Sequence, residues 1–123
     1  MNSKRIIVIG ILILAAIGLV QLYMRSLPLP DPGVEIFAQC LADKGATMYG
    51  AAWCPHCQNE KRAFGESFRL IPYVECPQDP QRCIQADIKG YPTWTFPDGR
   101  KFEGEQGLQR LSEISGCILN ESL

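Results

Sequence analysis

Apolar and polar positions divide the 123-residue chain into three zones. The first is a solid apolar run, Ile6 to Tyr23, with no charge and only Gln21 strongly polar. As a helix this run spans roughly 27 Å, close to the hydrocarbon thickness of a bilayer. The second zone, Ser26-Leu27-Pro28-Leu29-Pro30-Asp31-Pro32-Gly33, reads as a stiff extended spacer. From Val34 onward, short runs of helical and strand periodicity alternate. Apolar residues at 34, 36, 37, 41 and 42 predict a helix over 34–43, stopped by Lys44-Gly45. Residues 46–53 read as a buried strand. Pro55 to about Leu70 reads as a helix with Ala63, Phe64 and Phe68 inward and proline in its first turn. A short strand over 72–76, a short helix over 80–88 and a strand over 93–96 follow. Pro97-Asp98-Gly99-Arg100 is a hairpin turn into an edge strand over 101–105. A closing helix over 108–119 turns Leu108, Leu111, Ile114 and Ile118 inward.

This order, α-β-α-β-α-β-β-α, predicts an α/β domain. Strand–helix–strand crossovers give a parallel portion and the closing hairpin an antiparallel edge, with helices on both faces. The expected organisation is a cytoplasmic N-terminus and transmembrane signal anchor over 1–25, a linker over 26–33 and a folded domain over 34–123.

Charge orients the anchor. Lys4, Arg5 and the N-terminal amine outweigh Arg25, so the N-terminus is expected in the cytoplasm and the domain outside. The run ends in Val20-Gln21-Leu22-Tyr23-Met24-Arg25, with no small-x-small cleavage signal. The expected locations are the periplasm, the thylakoid lumen or the extracellular space. Beyond the anchor, nine basic residues face thirteen acidic ones. That mild acidity argues against nucleic acid as a partner.

Six cysteines are heavy usage for this length, and an oxidising compartment permits them to pair. Trp53-Cys54-Pro55-His56-Cys57 sits where a predicted strand, Thr47-Met48-Tyr49-Gly50-Ala51-Ala52, gives way to a predicted helix. Two sulfurs one helical turn apart can cycle between dithiol and disulfide. The first lies at a helix N-terminus, where free N–H groups and the dipole favour the thiolate, the nucleophile of disulfide exchange. Cys54 is therefore the expected nucleophile and Cys57 the more buried resolving thiol. His56 would stabilise the Cys54 thiolate and make the disulfide more oxidising.

The C-x-x-C at the end of the first strand, together with Gly90-Tyr91-Pro92-Thr93 before the third, resembles the thioredoxin fold. The resemblance covers about residues 34–119 and implies a trimmed, four-stranded mixed sheet. Met48 to Cys57, then Phe64-Gly65 and Val74-Glu75-Cys76, resemble the thioredoxin-like domain fused to bacterial and plant vitamin K epoxide reductase homologues. That likeness implies disulfide donation to exported proteins. It also implies a separate vitamin K epoxide reductase-like membrane oxidoreductase as electron partner, and no bound cofactor. Pro-His between the cysteines is also the dipeptide of strongly oxidising periplasmic disulfide donors. By the same resemblance Pro92 lies beside the cysteines and, if cis, exposes the Tyr91 backbone for pairing with a substrate segment. Trp53 would wall one side of the site or simply pack; Trp94 and Phe96 read as core. The chain departs from thioredoxins in lacking their first strand. It also places Met48 where they bury an aspartate that relays a proton to the second cysteine.

Cys76 and Cys83 flank a short loop that a structural disulfide would brace, and the related fused domains carry a comparable second pair. Cys40 and Cys117 remain. A Cys40–Cys117 disulfide is one reading, by elimination; in the ordinary fold their helices tend to lie on opposite sheet faces, which counts against pairing and leaves buried free thiols or docking cysteines as the other. A zinc ribbon is disfavoured because six residues, not about two, separate Cys76 from Cys83; no metal is expected. The rivals are a reductase or isomerase of the same compartment and a non-catalytic binding module stapled by disulfides.

Overall fold

A computed structural model describes residues 2–120. Met1 with its amine, and residues 121–123 at the end of the expected domain, lie outside the described residues. Helix α1, Ser3–Ser26, contains the apolar run and buries none of it against the rest of the protein. It is long and apolar enough to cross a membrane.

Helix α2, Pro32–Asp43, starts two residues before the expected Val34. The Asp31 carboxylate accepts from the Gly33 and Val34 N–H groups at 2.7 and 3.2 Å, and Pro32 fills the first turn. The end of the predicted spacer is thus a helix cap. Strand β1, Thr47–Gly50, crosses over through α3, Pro55–Phe64, to strand β2, Tyr73–Glu75. The short helix α4, Pro80–Gln85, leads to β3, Thr93–Thr95, and a hairpin to β4, Lys101–Glu103. Helix α5, Gly107–Ser115, follows. The sheet order is β2-β1-β3-β4. Only β1 and β2 are parallel, and β3 runs antiparallel to both β1 and β4. This is the trimmed, four-stranded mixed sheet that the motif resemblance implies.

Pairing register sets two unequal cores. Met48 lies opposite Tyr73 and Trp94, and Trp94 opposite Phe102, so these side chains share one face. Phe37 and Leu41 of α2, Phe64 of α3 and Leu111 of α5 all join Met48 and Trp94 in one cluster. Phe64 is its hub, stacked on Phe37 and tilted against Trp94, each at 6.0 Å between ring centres. The second cluster is small: Val74, Cys76 and Cys83, with Tyr49, Ile88 and Tyr91 beside them. Helices do cover both faces, but only the six-residue α4 covers the second.

That asymmetry decides the open pairing of Cys40 and Cys117. Both α2 and α5 pack on the larger core, not on opposite faces, and Cys40–Cys117 is a disulfide. The predicted helix over 108–119 also ends early, because Gly116 takes φ 70°, a left-handed cap. The chain reverses there, buries Cys117 and leaves Ile118 exposed rather than inward. Lys44 Nζ donates to the Ser115 carbonyl at 2.6 Å beside the same junction. The expected Cys76–Cys83 disulfide is present.

The helix predicted over 55–70 breaks as well. Gly65 takes φ 55° and the chain tightens into a 3-10 segment, Gly65–Leu70. Ala63 is exposed, and the inward stripe of α3 is Cys57, Glu60 and Phe64. Glu60 is fully buried, and its two oxygens accept the N–H groups of Gln106 and Gly107 at 2.7 and 2.9 Å. The carboxylate therefore caps α5 from a neighbouring helix. Burial raises its pKa; the two amide donors oppose that shift.

Two predictions follow from this packing. In the loop-entropy model the Cys40–Cys117 bridge, closing 77 residues, is worth about 4.5 kcal/mol and the seven-residue Cys76–Cys83 loop about 2.4. Denaturant titration should rank the paired cysteine-to-alanine variants in that order. Glu60→Gln keeps one acceptor and turns an N–H donor toward the second amide, a loss of about 1–3 kcal/mol. Because the folded carboxyl binds its proton more tightly than the unfolded one, wild-type stability falls as pH rises through the raised pKa. Glu60→Gln lacks that pH-dependent component, which a pH series of denaturation curves measures.

Candidate active site

The site forms where β1 ends and α3 begins. Cys54 is the N-cap of α3 and Pro55 its first residue. The Cys54 sulfur accepts the Cys57 N–H at 3.3 Å, so one free helix-end donor already faces the nucleophile position. Cys54 and Cys57 are the free thiols among the described residues, while the other four cysteines are bridged. Cys54 keeps 5 % of its surface exposed and Cys57 none, the order the helix geometry predicts.

Burial decides the chemistry of Cys57. Its thiol pKa is pushed up to about 12, first by desolvation and then by its hydrogen bond with Cys54. The Ala51 backbone and the Lys61 charge pull in the opposite direction, less strongly. Near neutral pH, Cys57 therefore carries its proton.

The sulfur rests on bare backbone. A Cβ at Gly50 would sit 2.8 Å from Cys57 Sγ and 3.3 Å from the Tyr73 hydroxyl oxygen. Tyr73 in turn donates to Glu75 Oε2 at 2.5 Å, and Glu75 Oε1 accepts the Ala52 N–H at 2.8 Å. Burial and the neighbouring Glu75 raise the Tyr73 pKa further above its ordinary value. Lys61 Nζ lies 3.7 Å from the Tyr73 ring centre, a cation–π contact. No sequence signal gives Gly50, Lys61, Tyr73 or Glu75 a role at the sulfurs, since their grouping depends on the β1–β2 register.

The other residues singled out in the sequence fall around the sulfurs. The Tyr91–Pro92 peptide is cis, and the Tyr91 carbonyl oxygen lies 3.7 Å from Cys54 Sγ. Trp53 is 69 % exposed and meets Tyr91 edge-on at 6.1 Å, forming a wall above the thiols. His56 points elsewhere. Its Nδ1 lies 3.0 Å from Glu105 Oε2, which Asn59 also bonds, and no described hydrogen bond joins it to Cys54. His56 and Asn59 hold the Glu105 carboxyl below its usual range. Met48 is fully buried among apolar neighbours, so no carboxylate stands at that place on β1. No cluster that could hold a metal ion occurs among the described residues.

The sequence is similar to those of known proteins. No protein-family model matches the chain. Over 101 residues it is 38 % identical to thiol-disulfide oxidoreductase LTO1 of Arabidopsis thaliana, covering 75 % of this chain and 27 % of that protein. It is 27 % identical over 99 residues to the thioredoxin domain-containing protein 5 homolog of Drosophila melanogaster, covering 70 % of this chain and 24 % of the relative. The chain thus spans about a quarter of the length of these curated relatives. Among solved structures, Fasciola hepatica thioredoxin matches with a TM-score of 0.45 and 20 % identity, over 59 % of this chain and 79 % of that one.

Gly50→Ala tests the sulfur's seat. A methyl group 2.8 Å from Cys57 Sγ forces the thiol or the strand to move. Alkylation of Cys54 should persist, while closure of the Cys54–Cys57 disulfide by an added oxidant should slow. Equal closure rates in variant and wild type would show that the seat does not matter.

Proposed function

We propose that this chain is a membrane-anchored thiol–disulfide oxidoreductase that donates disulfides to exported proteins through Cys54–Cys57. The observation that carries this reading is the division among the cysteines. Four are closed in bridges within the protein, while Cys54 and Cys57 are left unbridged, one helical turn apart, at a helix N-terminus. Bridges of the first kind persist in oxidising compartments, which supports a domain outside the cytoplasm behind the α1 anchor. The Arabidopsis relative, a thiol-disulfide oxidoreductase by name, supports the chemistry.

In the oxidised protein a substrate thiolate attacks Cys54 Sγ. The Cys54–Cys57 bond breaks, Cys57 leaves with its electron pair and takes a proton, and a mixed disulfide forms at Cys54. A second substrate thiolate then attacks the substrate sulfur of that mixed disulfide and releases Cys54. The substrate has lost two electrons and two protons, and the Cys54–Cys57 pair has gained them. Trp53 and Tyr91 flank Cys54, where an extended substrate segment would lie. The reduced pair passes its electrons to a membrane oxidoreductase of the vitamin K epoxide reductase type, which the motif resemblance supports.

The test is a pair of variants in the full chain. Cys54→Ala should abolish disulfide transfer to a reduced protein substrate. With the pair oxidised by an external oxidant, wild type should transfer a disulfide and become reduced. Cys57→Ala, mixed with a disulfide-bonded protein substrate, should attack it through the Cys54 thiolate, release one substrate thiolate and accumulate the Cys54 mixed disulfide, visible as a higher-mass adduct on a non-reducing gel. Transfer by Cys54→Ala at the wild-type rate would overturn the mechanism.

A further inference from the structure

The Cys57 sulfur must gain a proton each time the disulfide opens and lose one each time it closes. It is fully buried, so bulk water does not reach it directly. The polar groups facing it can be named element by element. Cys54, at the N-cap of α3, and Lys61 lie on the helix side, and Tyr73 lies on β2 with its hydroxyl bonded to Glu75. Glu60, on the same helix, has both oxygens committed to the amides at the start of α5. Lys61 lies over the ring of Tyr73.

We propose that Tyr73 and Glu75 form the proton path of Cys57, with the tyrosine hydroxyl as relay and the carboxylate as its outer end. The proposal rests on the exchange reading above and deepens it. Three observations carry it. Cys57 Sγ and the Tyr73 hydroxyl border the same small gap over Gly50, 2.8 and 3.3 Å from the Cβ position that glycine leaves vacant. The hydroxyl is already hydrogen-bonded to Glu75 at 2.5 Å. Glu75 and Tyr73 also line a cleft of about 460 Å3, shared with Ala52, Asp79 and Arg82, that opens to solvent.

The step balances without any further reagent. When the disulfide closes, the Cys57 proton moves to the tyrosine oxygen as the tyrosine proton moves to Glu75 Oε2. The thiolate left on Cys57 attacks Cys54 Sγ in its mixed disulfide and expels the partner thiolate. Glu75 then releases its proton into the cleft. Opening of the disulfide runs the same path backward. Rotation of the Cys57 thiol turns its proton toward the tyrosine hydroxyl at the moment of transfer. Lys61 over the ring stabilises negative charge passing along this line.

The experiment uses the reduced full-length chain in detergent, mixed with oxidised glutathione and quenched by acid for mass spectrometry. The first step, attachment of glutathione at Cys54, and the second, its expulsion by Cys57, are then timed separately. Tyr73→Phe keeps the ring under Lys61 and removes the relay. Glu75→Gln keeps an acceptor for Ala52 and removes the base. Both variants should leave the first step unchanged and slow the second about 10- to 100-fold near neutral pH. The loss should shrink toward alkaline pH, where hydroxide takes the thiol proton, and added imidazole should partly restore Glu75→Gln. A second step that matches wild type at every pH, or one slowed by the same factor at every pH, would overturn the path. Failure of wild type to attach glutathione at all would overturn the exchange reading itself and the path with it, a result distinct from the others.

Discussion

The buried sulfur of Cys57, seated on the bare backbone of Gly50, is the constraint around which the domain is arranged. Only glycine leaves room for it, so the last residue of β1 decides how closely α3 can approach the sheet. That approach places Cys54 at the helix N-cap, where the Cys57 amide reaches its sulfur. It also moves Cys57 out of water and makes its thiol a weak acid. A reactive outer sulfur and a reluctant inner one are therefore two results of a single packing decision. The position of α3 depends in turn on Phe64, packed between Phe37 and Trp94, and on Glu60, which ties the helix to the start of α5.

A domain this small, with only a short helix over one sheet face, has little apolar area to bury. The two bridges meet that shortage at opposite ends. Cys76–Cys83 closes the thin second core, and Cys40–Cys117 fastens the end of the chain to the first helix of the domain. Neither touches the reacting pair's bonding, so four cysteines hold the shape while two are left for chemistry.

Much of this was legible in the residues. Cys54-Pro55-His56-Cys57 announces itself because its spacing, its proline and its place after an apolar strand all act within one turn of helix. The strand order and the Phe96-to-Arg100 turn are equally local, and β4 pairs with β3 as the hairpin requires. What escaped the sequence depends on long-range placement. Glu60 looks like one more charge on a solvated helix face until α5 arrives with two free amides. Tyr73 and Glu75 become neighbours of Cys57 only through the parallel β1–β2 register. His56, read as a partner of the Cys54 sulfur, is instead bonded to Glu105, some fifty residues downstream. The Cys40–Cys117 bridge was obscured by the assumption that α2 and α5 lie on opposite sheet faces, and the early end of α5 brings Cys117 inward. Gly116 carried the missing signal, since glycine directly after a helical run is a stop.

The most direct measurement is the redox equilibrium of Cys54–Cys57 in the full chain against graded glutathione buffers, read by alkylation and mass. The account predicts one two-electron transition confined to this pair, with the two bridges unchanged, and a potential of about −120 to −180 mV, the range of disulfide donors and isomerases. A potential near −270 mV, the range of thioredoxin-like reductants, would contradict the donor direction. Absence of any transition at Cys54 and Cys57 would contradict the account as a whole.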